Sequence, residues 1–225
     1  MTDIATPDGV ADAYRTGEGP AVLFIMDAFG LRPRIEEMAD RIAARGYTVL
    51  APNVFYRAGR APVLPMPDFT EPDGRAAFFE QVRPLMEQLG GDEWLRDGAA
   101  YLDQLTGPVA ITGYCMGARL GLRLAAAFGD RVVALGGFHG GRLVGAGAGD
   151  IRGELYFGHA DNDASMPAEA IAALDRALDE AGVTHTTEVY AGAAHGYTMA
   201  DTAAYDEAAC ERHFAALFAL LDRAF

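Results

Sequence analysis

The order of apolar runs along the chain predicts an α/β domain built on a mainly parallel sheet. Three observations carry that expectation. Short, continuous apolar runs recur without polar alternation, as in strands buried on both faces. Segments whose apolar residues fall at helical spacing separate them. Gly, Pro and Asp punctuate the joins.

Thr6-Pro7-Asp8-Gly9 and Gly17-Glu18-Gly19-Pro20 are turn signals on either side of a short strand pattern at 10–15, so residues 1–20 read as an opening hairpin. Residues 21–26 form the first buried strand. Ile35, Met38, Ala39, Ile42 and Ala43 then fall on one helical face, and Gly46 stops that helix. A second buried strand covers 47–52. Residues 53–91 are less regular: Pro62, Pro65, Pro67 and Pro72 forbid a long helix before Gly74, from which one can run to Leu89. Asp92 is placed to cap a helix through Leu105. Strands at 109–113, 132–136, 154–158 and 184–190 follow, with helices at 116–128 and 167–181, and 202–225 closes the chain as a helix. Nothing reads as a repeat or a linker, so residues 1–225 are expected to form one domain. Gly145-Ala146-Gly147-Ala148-Gly149 imitates a dinucleotide fingerprint, but its spacing is wrong and Asp150 follows instead of a helix, so it reads as a loop.

Composition narrows the chemistry. All 18 cationic side chains are Arg, which excludes a Schiff-base lysine and a P-loop lysine. Ser165 is the only serine. Cys115 and Cys210 are the only cysteines, too few for a zinc knuckle, an iron–sulfur site or a disulfide scaffold. A net charge of −14 argues against nucleic acid and anionic membrane as partners. The N-terminus lacks the pattern of a signal peptide, and the run at 21–26 is far too short to span a bilayer, so a cytoplasmic location is expected.

The segment that carries chemistry is Gly113-Tyr114-Cys115-Met116-Gly117, between a strand pattern and a helix pattern. It has the form Gly-x-nucleophile-x-Gly of a strained strand-to-helix turn. The helix N-terminus behind it favours a thiolate and a developing oxyanion. Cys210, inside the last helical pattern, reads as packing. A cysteine nucleophile needs a base and a group that orients the base. In the order nucleophile–acid–base, the acid should follow the strand ending at Gly158. Asp161 is the first choice there and Asp163 the competitor. His195, after the next strand and among small residues, is the expected base; His139 is a candidate pocket residue. The backbone amides of Met116 and Ala28 are the candidate oxyanion donors.

These segments, together with Met26-Asp27-Ala28-Phe29-Gly30, Gly158-His159-Ala160-Asp161 and Ala194-His195-Gly196-Tyr197, resemble the dienelactone hydrolase family over nearly the whole chain. The resemblance implies an α/β-hydrolase fold, a Cys–Asp–His triad, lactone hydrolysis, and no metal or cofactor. It also implies that a carboxylate at the position of Asp27 holds the resting thiol; the family's usual residue there is Glu. Where the family places a substrate-binding Arg four residues after the catalytic His, this chain has Met199, a loss of roughly 2–5 kcal/mol at a buried carboxylate. Arg75 is a loose match to a second family Arg. A more apolar ester or lactone is therefore expected as substrate, with Phe55, Tyr56, Phe78, Phe79, Trp94, Tyr114 and Met199 as candidate pocket walls. The same triad would serve a thioesterase or acyl transferase, and a redox-sensing thiol on a hydrolase fold is the reading from a different class. Monomer and homodimer are not distinguishable.

Overall fold

The computed structural model describes residues 1–68, 71, 73–145 and 147–225. Pro72 and Ala146, used in the sequence reading, lie outside the described residues. The opening hairpin pairs β1 (Thr2–Thr6) with β2 (Gly9–Thr16). The remaining strands are β3 (Ala21–Ile25), β4 (Thr48–Pro52), β5 (Val109–Tyr114), β6 (Val132–Phe138), β7 (Glu154–Asn162) and β8 (His185–Ala194). All eight join one sheet in the order β1-β2-β4-β3-β5-β6-β7-β8. From β4 to β8 every pairing is parallel, whereas β1 and β2 run antiparallel.

Local sequence explains these placements. Every residue of β3 and of β5 is buried, as central parallel strands covered on both faces require. Helix α1 (Pro33–Ala43) starts with Pro at its first position and buries Ile35, Met38, Ala39 and Ile42 as the periodicity predicts. It lies against β4, and α6 (Glu207–Ala224) lies against β6 and β7. On the other face α4 (Met116–Ala127) packs on β5 and β6, with α3 (Asp92–Leu102) beside it. Helix α2 (Gly74–Gln88) and helix α5 (Ala168–Glu180) complete the set. The closing helix begins five residues later than expected, because the Asp206 carboxylate accepts a hydrogen bond from the Ala209 amide and caps it there.

The topology creates one privileged place. The chain leaves β3 on one side to make β4, then returns to make β5 on the other. The crevice past the carboxyl ends of β3 and β5 is therefore a topological switch point, where open α/β sheets bind ligands. The register pairs Ile25 with Gly113, so the loop at Asp27 and the turn at Cys115 emerge side by side.

Candidate active site

Cys115 sits between β5 and α4 at φ 55°, ψ −115°, left-handed backbone that a residue with a side chain rarely adopts. The two flanking glycines make the turn possible. A Cβ on Gly113 would overlap the Gly117 carbonyl, and a Cβ on Gly117 would overlap the Ile25 carbonyl at the end of β3. The strain is held by a hydrogen bond from the Cys115 amide to the Phe138 carbonyl at 3.0 Å. Cys115 is half-buried, while Cys210 is buried in α6.

Across the cleft, His195 Nδ1 lies 2.6 Å from Asp163 Oδ2. Asp163 in turn accepts hydrogen bonds on Oδ1 from the Ser165 hydroxyl at 2.6 Å and the Ser165 amide at 2.8 Å. Burial pushes the Asp163 carboxyl up, but the bonds from His195 and Ser165 override it and bring it down to about 2. Burial likewise pushes His195 down; the Cys115 sulfur first and Asp163 second stabilise the imidazolium and raise it to about 10. His195 thus bonds the Asp163 carboxylate on one side and shares both cavities of the cleft with the Cys115 sulfur.

The expected partnership of Asp161 with His195 is not formed. Strand β7 runs four residues past the expected end, to Asn162, and β8 four past its own, to Ala194. Asn162 pairs with Ala194, so Asp163 and His195 are the first residues beyond the two strands. The register shifts between Ala160 and Asn162, and there the exposed Asp161 carboxylate accepts a hydrogen bond from the Gly192 amide at 2.9 Å.

Asp27 also has a different partner from the one expected. Its carboxylate is buried and takes a bidentate contact from Arg32, at 2.7 and 3.1 Å, and a bond from the Phe29 amide at 3.0 Å. Arg32 extends the network to Asp201 at 2.6 Å. Burial, the largest influence, pushes the Asp27 carboxyl up against the pull of Arg32, while Asp27 and Asp201 hold Arg32 cationic. With its oxygens occupied in this way, Asp27 braces the loop that carries Ala28 instead of holding the thiol. Arg32 Nη2 also lies 3.4 Å from Met199 Sδ, so a guanidinium does stand beside the position where the arginine was missing, already neutralised by two carboxylates. Among the described residues, the Ala28 and Met116 amides donate to no protein acceptor.

Two cavities meet at Cys115 and His195. The inner one, about 60 Å³, is bounded by Ala28, Phe29, Phe79, His139 and Met199. The outer one, about 800 Å³, opens between α2, the start of α4 and the loops after β6 and β7. Arg75 and Phe79 line both, with the Arg75 guanidinium 5.6 Å from the Phe79 ring centre. His139, at φ 38°, is fully buried, and its Nε2 pairs with Thr198 Oγ1 at 2.8 Å. Its Nδ1 has no protein partner, and burial, then His195, depresses its pKa, leaving a neutral imidazole.

Other expected pocket walls are elsewhere. Phe55, Tyr56, Phe78, Trp94 and Tyr114 line neither cavity. The Tyr56 hydroxyl donates to Asp97, the Trp94 indole donates to the Leu120 carbonyl, and the Tyr114 hydroxyl meets His213 Nε2 under the sheet. Phe78 packs on Phe29, ring centres 5.0 Å apart. Ser165, the Arg32 network and Thr198 were not singled out by sequence as parts of the site. The lone serine two residues after Asp163 was the available signal for the first. Among the described residues no cluster of three or more His, Cys, Asp or Glu is arranged to hold a metal ion, and no helix is long and apolar enough to cross a membrane.

Comparison with known proteins places this geometry. The family model of the dienelactone hydrolase family matches residues 4–225. A Synechocystis protein to which the name carboxymethylenebutenolidase is provisionally attached is 28% identical over 223 residues, covering 90% of this chain and 85% of its own. The carboxymethylenebutenolidase of Rhodococcus opacus is 31% identical over 119 residues, 53% of this chain and 43% of its own. The solved structure m3DLH superposes with a TM-score of 0.81 at 29% identity, covering 100% of this chain and 98% of that one. At 12% identity, Est1E of Butyrivibrio proteoclasticus with ferulic acid bound shares the fold with a TM-score of 0.67 over 99% of this chain and 100% of its own. The sheet is that of the α/β-hydrolase fold, and the chain belongs to the dienelactone hydrolase family, as a hydrolase with carboxymethylenebutenolidase homologues.

Proposed function

We propose that the chain hydrolyses carboxylic esters or lactones through a Cys115–His195–Asp163 triad and an acyl-enzyme. The observation that carries this reading is the meeting of Cys115, His195 and the Asp163 carboxylate at the switch point, with Cys115 held on a left-handed turn at a helix N-terminus. Cys115 Sγ attacks the carbonyl carbon as a thiolate, and the C–S bond forms as the carbonyl π electrons move to oxygen. The Ala28 and Met116 amides are placed to receive that oxyanion. The tetrahedral species collapses, the bond to the leaving oxygen breaks, and that oxygen takes the proton from His195. Water then attacks the thioester, giving up its proton to His195, and the carboxylic acid leaves as Cys115 returns to the thiolate. Asp163 keeps the imidazole oriented and stabilises its cationic form.

The inner cavity supports a short acyl group or small lactone: Phe29, Phe79 and Met199 are apolar, Arg32 beside Met199 is already bound to Asp27 and Asp201, and the remaining cation of the lining, Arg75, lies against the Phe79 ring where the two cavities meet. The test is a panel of activated esters and enol-lactones with wild type and Cys115→Ala. Turnover by wild type, loss of at least about 10⁴-fold in the variant, and an acyl adduct on Cys115 detected by mass are expected. Full activity in Cys115→Ala would sink the assignment.

A further inference from the structure

The outer cleft is positively charged in a strongly acidic protein. It is lined by Arg83 and Glu87 from α2, Arg119 from the first turns of α4, Arg142 from the loop after β6, and Arg75 at its junction with the inner cavity. Eight arginines elsewhere form ion pairs: Arg32, Arg34, Arg41, Arg57, Arg60, Arg96, Arg212 and Arg223. Arg83, Arg119 and Arg142 are among the ten arginines that form none among the described residues, although the chain holds 32 acidic side chains. The acids of the cleft do not compensate them. Asp163 is committed to His195 and Ser165, which leaves Glu87 against four guanidinium groups, Arg75 at the junction included.

The placement is built. Arg142 stands on left-handed backbone, φ 54°, and its amide donates to the Ser165 carbonyl at 2.9 Å, which ties it to the loop that carries Asp163. Arg119 is half-buried on the helix that starts at the nucleophile, and the positive charge of Arg119, after burial, depresses the Arg123 guanidinium behind it. Unpaired guanidinium groups around a cleft raise the local concentration of anions and bind them through paired N–H donors. One carboxylate is satisfied by one guanidinium, whereas three suit a multiply charged anion.

Cys115 and His195 line both cavities, so a substrate whose carbonyl lies at the sulfur has one half in each. The inner cavity, about 60 Å³, takes the short acyl half. Resting on the acyl-transfer reading above, we propose that Arg83, Arg119 and Arg142 bind the leaving half of the substrate, an alcohol that carries a phosphate monoester. In the first step the C–O bond to this alcohol breaks, His195 gives it a proton, and the phosphorylated alcohol departs through the cleft while the acyl group stays on Cys115.

The experiment compares three acetate esters of one phenol scaffold, whose para group is phosphate, carboxylate or methyl. For wild type at low salt, kcat/KM for the phosphate ester should exceed that for the methyl ester by about tenfold or more, through KM, and the advantage should shrink as salt is raised. In the triple variant Arg83→Gln, Arg119→Gln, Arg142→Gln the ratio of the two should fall about tenfold. A ratio near one in wild type, or one unchanged in the variant, overturns the proposal; preference for the carboxylate ester over the phosphate overturns the phosphate assignment. Calorimetric binding of phenyl phosphate to wild type, weakened at least about tenfold in the variant, tests the site without turnover. No binding by wild type overturns the proposal, whereas binding without hydrolysis of any ester counts against the acyl-transfer reading alone.

Discussion

Two carboxylates with buried side chains line the two cavities that meet at Cys115, each bonded to a cationic side chain, and they are built for different work. Asp163 meets His195 at 2.6 Å, and Asp27 meets Arg32 at 2.7 Å. The first cation can give up its proton near neutral pH when its surroundings change; the second stays charged at any pH a protein survives. The His195 pair can therefore take part in proton transfer, while the Arg32 pair can only hold shape. Their attachments agree with this. Asp163 has Ser165 on its far oxygen and the Cys115 sulfur beyond the imidazole. Asp27 bonds the Phe29 amide in its own loop, and Arg32 reaches across to Asp201. A salt bridge beside a cysteine is thus not by itself a proton-transfer device; the titrating partner decides.

Substitutions should separate the two pairs, beginning with the largest effect. Asp163→Asn is expected to lower kcat/KM by about 10²–10⁴-fold. It should also move the alkaline limb of the pH profile downward. In wild type His195 stays protonated until the pH rises through about 10, and removing the Asp163 charge lets the proton leave earlier, by about one unit. An unmoved limb would show that Asp163 does not govern the imidazole. The acid side has the opposite sign: the stability Asp163 contributes is present above its ordinary range near 4 and is lost as the pH falls toward about 2.

Asp27→Asn should act on folding. It leaves a buried guanidinium with Asp201 as its remaining carboxylate, and a cost of about 3 kcal/mol is expected, read from the urea midpoint at constant slope. A variant as stable as wild type but inactive would return Asp27 to the chemistry. Ser165→Ala removes one hydroxyl donor from Asp163 and should cost about tenfold in kcat/KM with little change in KM. Asp161→Asn is the smallest: its carboxylate is exposed and bonds only the Gly192 amide, so activity should stay within about threefold of wild type.

The fold was legible because buried parallel strands announce themselves: Ala21-Val22-Leu23-Phe24-Ile25 and Val109-Ala110-Ile111 contain no polar residue and became β3 and part of β5. The elbow was legible for a related reason, since two glycines two residues either side of Cys115 have a steric cause that the structure displays. The acid was not. Asp161 and Asp163 have the same parity along a strand, so alternation cannot separate them; only the true ends of β7 and β8 do, and Gly158 and Tyr190 marked both four residues early. The pocket walls failed because aromatic residues carry no sign of whether they face a cavity or the core, as Trp94 and Tyr114 show. Arg32 was hidden because its role depends on Asp201, distant in sequence, and not on its neighbours.

The contact of Gly117 with the end of β3 has a consequence for how this molecule can change over generations. With no room for a side chain between them, the nucleophile turn and the Asp27–Ala28 loop form one rigid piece. The wall of the outer cleft is carried on other pieces, helix α2 and the loop at Arg142, whose side chains line open space. Mutation can therefore vary the cleft wall at Arg83 and Arg142 while the turn at Cys115 keeps its position. The fold separates what must be inherited unchanged from what is free to drift.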